Sequence, residues 1–102
     1  NLLVGILTGN AGWLVKSNIE AGEGFADIIV ETDDPNTGII VELKYAKEFR
    51  NMEQACRKAL QQIKDRRYFE YLLNDGRHNI FLYGIAFCKK RCKVIAEKLL
   101  EI

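Results

Sequence analysis

The run IIVELKYAK at residues 39–47 poses a problem in elementary chemistry. Ile39, Ile40 and Val41 are β-branched and apolar, the composition of a buried strand. Glu42 and Lys44 then stand two residues apart, and the period of a strand puts both on one face. Burying a charged pair is costly unless something compensates it. A strand that carries such a pair in an apolar stretch therefore needs a partner for it.

The preceding residues supply a candidate. FADIIVET at 25–32 reads as a strand, with Ala26, Ile28 and Val30 on one face and Phe25, Asp27, Ile29 and Glu31 on the other. DDPNTG at 33–38 is strong turn chemistry, so the two strands form a hairpin. With the turn centred near residues 35 and 36, Asp27 faces Lys44 directly and Glu42 diagonally. Same-face neighbours in a hairpin lie about 5 Å apart and diagonals about 7 Å. Two carboxylates and one ammonium then converge on one patch of an apolar sheet. Such carboxylates can share a divalent cation through oxygen ligands, with the Leu43 carbonyl as a further donor. A cation so held activates water and neutralises phosphoryl charge, and a neighbouring lysine can orient or deprotonate that water or stabilise developing charge. The competing reading is structural: an Asp27–Lys44 ion pair across the strands, with Glu42 reaching solvent.

Further out, WLVKSNI at 13–19 alternates loosely as a strand, and AGEG at 21–24 is a turn. LLVGILT at 2–8 reads as a short helix end. From Glu48 to Leu73 there is no Gly or Pro. Phe49, Met52, Cys56, Ala59, Leu60 and Ile63 follow helical spacing, so one long amphipathic helix is expected there. IFLYGIAF at 80–87 is a near-continuous apolar run, expected as a strand covered on both faces. VIAEKLLEI at 94–102 is expected to close the chain as a helix, with a strand as the other reading.

The 102 residues suit one domain with one core, and apolar content of 48% is ordinary for a globular chain. No apolar run reaches the roughly 20 residues of a membrane span, and no signal peptide opens the sequence, so no membrane role is expected. The start NLLVGIL reads as the middle of a helix, which points to a domain cut from a longer chain. Cys56, Cys88 and Cys92 lack zinc-type spacing and cannot all pair together. They read as packing residues in a reducing, cytoplasmic setting. Trp13 and the tyrosines read as core.

The net charge of +1 hides an uneven distribution. Residues 17–43 hold seven acids (Glu20, Glu23, Asp27, Glu31, Asp33, Asp34 and Glu42) and no base. Residues 44–67 hold eight bases against three acids, and KKRCK at 89–93 adds four bases. An acidic focus beside basic flanks fits a cation site next to a polyanion surface; a solvated face is the plainer reading. Lys64, Arg66, Arg67, Lys89, Lys90, Arg91 and Lys93 are the candidates for contact with a phosphate backbone.

Four blocks in order carry a resemblance. SNIEAGEGFADIIV, IIVELK, ALQQIKDRRY and YGIAF resemble the blocks SNRExGxGRxD, an apolar run ending E-x-K, ALxQIxxxxY and GIAF. These belong to a family of the PD-(D/E)XK nuclease superfamily, the nuclease-like domain at the C-terminal end of AAA-ATPase-like bacterial proteins. The resemblance covers residues 1–95. It implies an α/β, restriction-endonuclease-like fold: a central mixed β-sheet flanked by helices, with an αβββαβ core. It implies a metal-dependent nuclease that hydrolyses phosphodiester bonds in nucleic acid, expected to be DNA, using Mg²⁺ or Mn²⁺. By position, Asp27 and Glu42 match the metal-binding carboxylates, Lys44 the catalytic lysine, and Gln62 the helix glutamine near the active centre. Glu20 matches a block glutamate that is either a further ligand or a turn residue, and Tyr68 matches a tyrosine read as packing. Two block arginines are absent, because Ile19 and Phe25 stand in their places. Their loss keeps open the alternative of a non-catalytic nucleic-acid-binding or protein-docking module. No GxxxxGK[ST] occurs, so the resemblance places ATPase chemistry in the parent chain, a partner alongside nucleic acid and an open homo-oligomer.

Overall fold

A computed structural model describes Gly9 and residues 12–100 of the chain. The helix expected over residues 2–8 lies outside these residues. Strand β1 spans Leu14–Ala21, β2 Gly24–Glu31 and β3 Thr37–Tyr45. A single 3₁₀ turn at Phe49–Asn51 leads into helix α1, Met52–Asp65; a short helix α2, Glu70–Asn74, follows. Strands β4, Asn79–Cys88, and β5, Arg91–Lys98, complete the described elements. The five strands form one sheet in the order β1-β2-β3-β4-β5. Every neighbour is antiparallel except β3 and β4, which run parallel and are joined by the helical crossover. The result is the expected α/β architecture, a mixed sheet with helices.

Helix α1 forms because 14 residues free of Gly and Pro place Met52, Cys56, Ala59, Leu60 and Ile63 on one buried stripe. Leu60 and Ile63 meet Ile29, Ile40, Ile80 and Leu82 of the sheet, all with essentially no exposure, and Met52 and Cys56 pack with Ala86 and Cys88. Each buried Leu or Ile side chain contributes about 1.5–3 kcal/mol. Gly84 of β4 permits the approach: a methyl there would lie 2.3 Å from the Cys56 carbonyl oxygen. In β4 one face, Ile80, Leu82, Gly84, Ala86 and Cys88, is buried while the other is half-buried. On that second face Ile28, Val30 and Val41 form a smaller cluster with Trp13, Val15 and Tyr83.

Three expectations change. The long helix ends early, at Asp65, although no Gly or Pro interrupts it. Arg67 takes the left-handed conformation (φ 54°), its N–H donates to the Lys64 carbonyl, and the Tyr68 N–H donates to the Ile63 carbonyl. This pair of bonds is a Schellman cap with arginine where glycine is usual. Tyr68 and Ile63 share the core cluster, supplying the apolar contact that accompanies such a cap. The final segment is strand β5, through Lys98, and not a helix. Pairing with β4 over eight residues decides a sequence whose local pattern suits either state.

The hairpin register is the third. Ile28 pairs with Val41 and Glu31 with Gly38, two residues away from the expected alignment. The tight turn does fall at Asp34–Thr37: the Thr37 N–H donates to the Asp34 carbonyl, and Asp34 Oδ1 and Oδ2 accept from the Asn36 N–H and the Thr37 hydroxyl. Thr32 and Asp33, however, lie between β2 and that turn, and the Thr32 hydroxyl donates to the Asp34 and Thr37 carbonyls. Two extra residues on one arm shift the register by two, which leaves the side chains of the paired residues 28–31 on their expected faces.

Candidate active site

Continuing the hairpin by one residue sets Asp27 opposite Glu42, not opposite Lys44. The ladder stops there: the last pair is Ile28 with Val41. Side chains take over the bridging. The Asp27 N–H donates to Glu42 Oε1 at 3.3 Å, and the Leu43 N–H donates to Asp27 Oδ2 at 2.8 Å. Strand alternation also breaks here, because Ala26 packs in the helix-side cluster while Ile28 packs on the opposite face. The local twist turns Asp27 toward the second strand. Asn18 of β1, with φ 50°, drops out of the β1–β2 pairing at the same level.

Glu42 is 3% exposed, the most deeply buried charged side chain among the described residues. Burial, and then the negative charge of Asp27, push its carboxyl up from 4.5 to about 7. Asp27 N–H and the Lys44 ammonium oppose that rise. From α1, Gln62 Nε2 donates to Glu42 Oε2 at 2.7 Å. Lys44 Nζ donates to Gln62 Oε1 at 2.5 Å. Lysine can only donate, so it fixes the amide with oxygen toward Lys44 and nitrogen toward Glu42. The same Nε2 donates to the Tyr68 hydroxyl at 3.0 Å. The chain of contacts therefore runs Lys44, Gln62, Glu42, Asp27, and the end of α1 anchors it through Tyr68.

The simple ion pair read from the sequence is thus replaced by a bridge. Gln62, and not a carboxylate, accepts from Lys44, and Glu42 points into the structure, away from solvent. Tyr68 was read as packing; it is 2% exposed and also holds the glutamine. Its signal in the sequence is faint: Gln62 and Tyr68 lie six residues apart across a helix end that nothing local announces.

Glu20 lies outside this chain of contacts. It is exposed on the edge strand and lines a cavity of about 320 Å³ with Gly22, Glu70, Tyr71 and Asn74. Among the described residues no three His, Cys, Asp or Glu side chains converge as a metal cluster. The Asp27–Glu42 pair does fit a hard divalent cation in its chemistry. Two oxygen-donor carboxylates sit together, and burial first and their mutual repulsion second raise Glu42; a cation would relieve both.

The basic candidates are dispersed around the site. Lys64 pairs with Glu97 at 2.6 Å, and Arg67 with Glu70 at 3.3 Å. Arg66 Nη1 donates to the Glu23 carbonyl at 3.4 Å. Lys89 and Arg91 stack over the Phe49 ring, and Lys90 is exposed beside them. The β1–β2 turn, the carboxyl ends of β3 and β4, and the β4–β5 turn all lie at one end of the sheet, which places Arg66, Lys89, Lys90 and Arg91 at the site's end; Lys64, paired with Glu97 beside Leu82, lies farther along the sheet. Beyond Lys44 a groove of about 290 Å³ opens, lined by Tyr45, Lys47 and Lys58 among others. Tyr45 is 87% exposed, which corrects its reading as core. Cys56 and Cys88 are buried as packing residues, whereas Cys92 is exposed.

No described helix is long and apolar enough to cross a membrane. A family model for the PD-(D/E)XK nuclease superfamily matches residues 1–97. No curated protein matches the chain.

Proposed function

The chain belongs to the PD-(D/E)XK nuclease superfamily, and from that membership we propose that it hydrolyses phosphodiester bonds in DNA with Mg²⁺ or Mn²⁺. Nuclease-type chemistry, nucleic-acid binding and use of a divalent metal are general to the superfamily. The observation that carries the proposal for this chain is the connected set Lys44, Gln62, Glu42 and Asp27.

Asp27 and Glu42 are the residues that would hold the cation. When bound, it would supply Lewis-acid stabilisation of phosphoryl charge and a lower pKa for attacking water. The protein's own part is positional. Asp27, fixed by the Leu43 N–H, holds one carboxylate oxygen in place. Glu42, fixed by the Asp27 N–H and Gln62, holds the second carboxylate in one position. Gln62 ties Lys44 beside them, and the ammonium keeps further N–H donors for a phosphate oxygen or a water.

Cleavage of DNA with Mg²⁺ or Mn²⁺ tests this directly. Wild-type protein should cut only with the cation, and Lys44→Ala should cut at least about 100-fold more slowly. Metal-independent cleavage, or an unimpaired variant, would sink the proposal. A second reading, a binding or docking module without catalysis, is favoured by the hydrophobic Ile19 and Phe25 in place of two basic residues. It predicts salt-sensitive DNA binding with no cleavage. The four sequence blocks further support a place at the C-terminal end of an AAA-ATPase-like bacterial protein of the cytoplasm.

A further inference from the structure

The groove beside Lys44 has a composition that the cleavage reading leaves unused. Lys44, Tyr45, Lys47, Asn51, Gln54 and Lys58 line it with two alanines: three lysines, one tyrosine at the end of β3, two amides and no carboxylate. Tyr45 follows Lys44 directly and is 87% exposed. Its only described aromatic neighbour is Phe87, 6.0 Å away and tilted by 37°, which leaves a ring face open to solvent. On the strand that carries Asp27, Phe25 is 57% exposed two residues away. Each of the two strands that hold the carboxylates thus presents an exposed aromatic residue close to them.

We propose that this groove receives an unpaired nucleic-acid strand, with a base stacked on Tyr45 and the adjoining phosphates on Lys47 and Lys58. The proposal rests on the nuclease reading and narrows its substrate class. In a duplex each base has both faces covered by its neighbours, so an exposed ring at the surface finds nothing to stack on. In a single strand those faces are free, and stacking tolerates any sequence. Lysines suit the same role, because each is a mobile point charge that follows a backbone without reading base edges. The groove is continuous with the site through Lys44, so a strand lying in it would bring a phosphate to the Asp27–Glu42 pair. Phe25 would meet the strand on the other side of that pair.

Binding without metal separates this inference from the cleavage reading. Fluorescence anisotropy with a labelled 12-nucleotide single-stranded DNA and the matching duplex would be recorded in EDTA across a salt series. The single strand should bind at least about tenfold more tightly. Tyr45→Ala should weaken single-strand binding about tenfold and leave the duplex unchanged, while Tyr45→Phe should bind like wild type. Replacing both Lys47 and Lys58 by Ala should reduce the log–log salt slope for the single strand by about 1.4. Tyr45 is so exposed that its replacement leaves the fold intact. Equal affinity for both DNAs, or no loss with Tyr45→Ala, would overturn the inference even if the protein cleaves DNA. Single-strand preference that depends on Tyr45 would uphold it even if no cleavage is seen.

Discussion

Glu42 shows how much a single side chain carries. It sits in an apolar strand because Asp27, Gln62 and the end of α1 give both its oxygens donors. That compensation is incomplete, since its carboxyl stays near 7. A folded-state pKa above the unfolded 4.5 means that the folded protein binds the proton more tightly. Without metal, stability should therefore be highest below about pH 4.5 as far as this group is concerned. It should fall as pH rises toward 7 and level off above it. The loss is on the order of 2 kcal/mol, less than the whole shift because nearby groups relax. Urea midpoints for wild type and Glu42→Gln in EDTA should converge near pH 4.5 and separate by pH 7.5, with the variant then the more stable; parallel curves would contradict this. Gln62 and Tyr68 give a kinetic counterpart. Tyr68→Phe removes only an acceptor from the glutamine, so cleavage should slow about tenfold at unchanged KM, and Gln62→Ala should slow it further. The sequence marked Asp27, Glu42, Lys44 and Gln62 as one group. It did not reveal that Gln62 would bridge the lysine to the glutamate, because that contact depends on how a helix 18 residues away docks.

The elements that read clearly were those with strong local patterns. β2, β3, β4 and the core of α1 lie within a residue or two of their expected places, because alternation or a helical stripe was backed by turn chemistry. The errors came where non-local contacts decide. β5 needs β4 to become a strand. The hairpin register depends on Thr32 and Asp33, whose placement is fixed by their bonds within the loop and by Arg77 Nη1 donating to the Thr32 and Asp34 carbonyls. The end of α1 is a cap that uses Arg67 in a conformation costing about 1 kcal/mol relative to glycine. Arg67→Gly should accordingly raise stability by roughly 0.5–1 kcal/mol, less what its contacts with Glu70 and Phe69 supply. A urea midpoint that falls would show those contacts to outweigh the backbone term. Gly84→Val probes the opposite kind of position. It would force a branched side chain into the Cys56 carbonyl, and the helix and β4 should part at a cost of several kcal/mol.

Across the whole molecule the bases of the β4–β5 turn and the acids of the β2–β3 turn lie at opposite ends, with Glu20 and Glu23 of the β1–β2 side at the first. One end of the sheet carries the carboxylate pair, the groove and Lys89 and Arg91; the other carries Asp33, Asp34 and Asp75 around Arg77. A polyanion is attracted to the first end and repelled from the second, so Arg91→Ala should weaken single-stranded DNA binding regardless of sequence and lower the salt slope by about 0.7. A sequence-dependent loss would mean that Arg91 reads bases instead. All of these roles presuppose that Asp27 and Glu42 form a cation site. Isothermal titration of the DNA-free protein with Mn²⁺ at pH 8, for wild type and Asp27→Asn, measures that most directly. Wild type should bind stoichiometrically, the variant at least tenfold more weakly, and wild type itself more weakly below pH 7, where Glu42 holds its proton. Equal Mn²⁺ affinity for the two proteins, or none for wild type, would contradict the cation site.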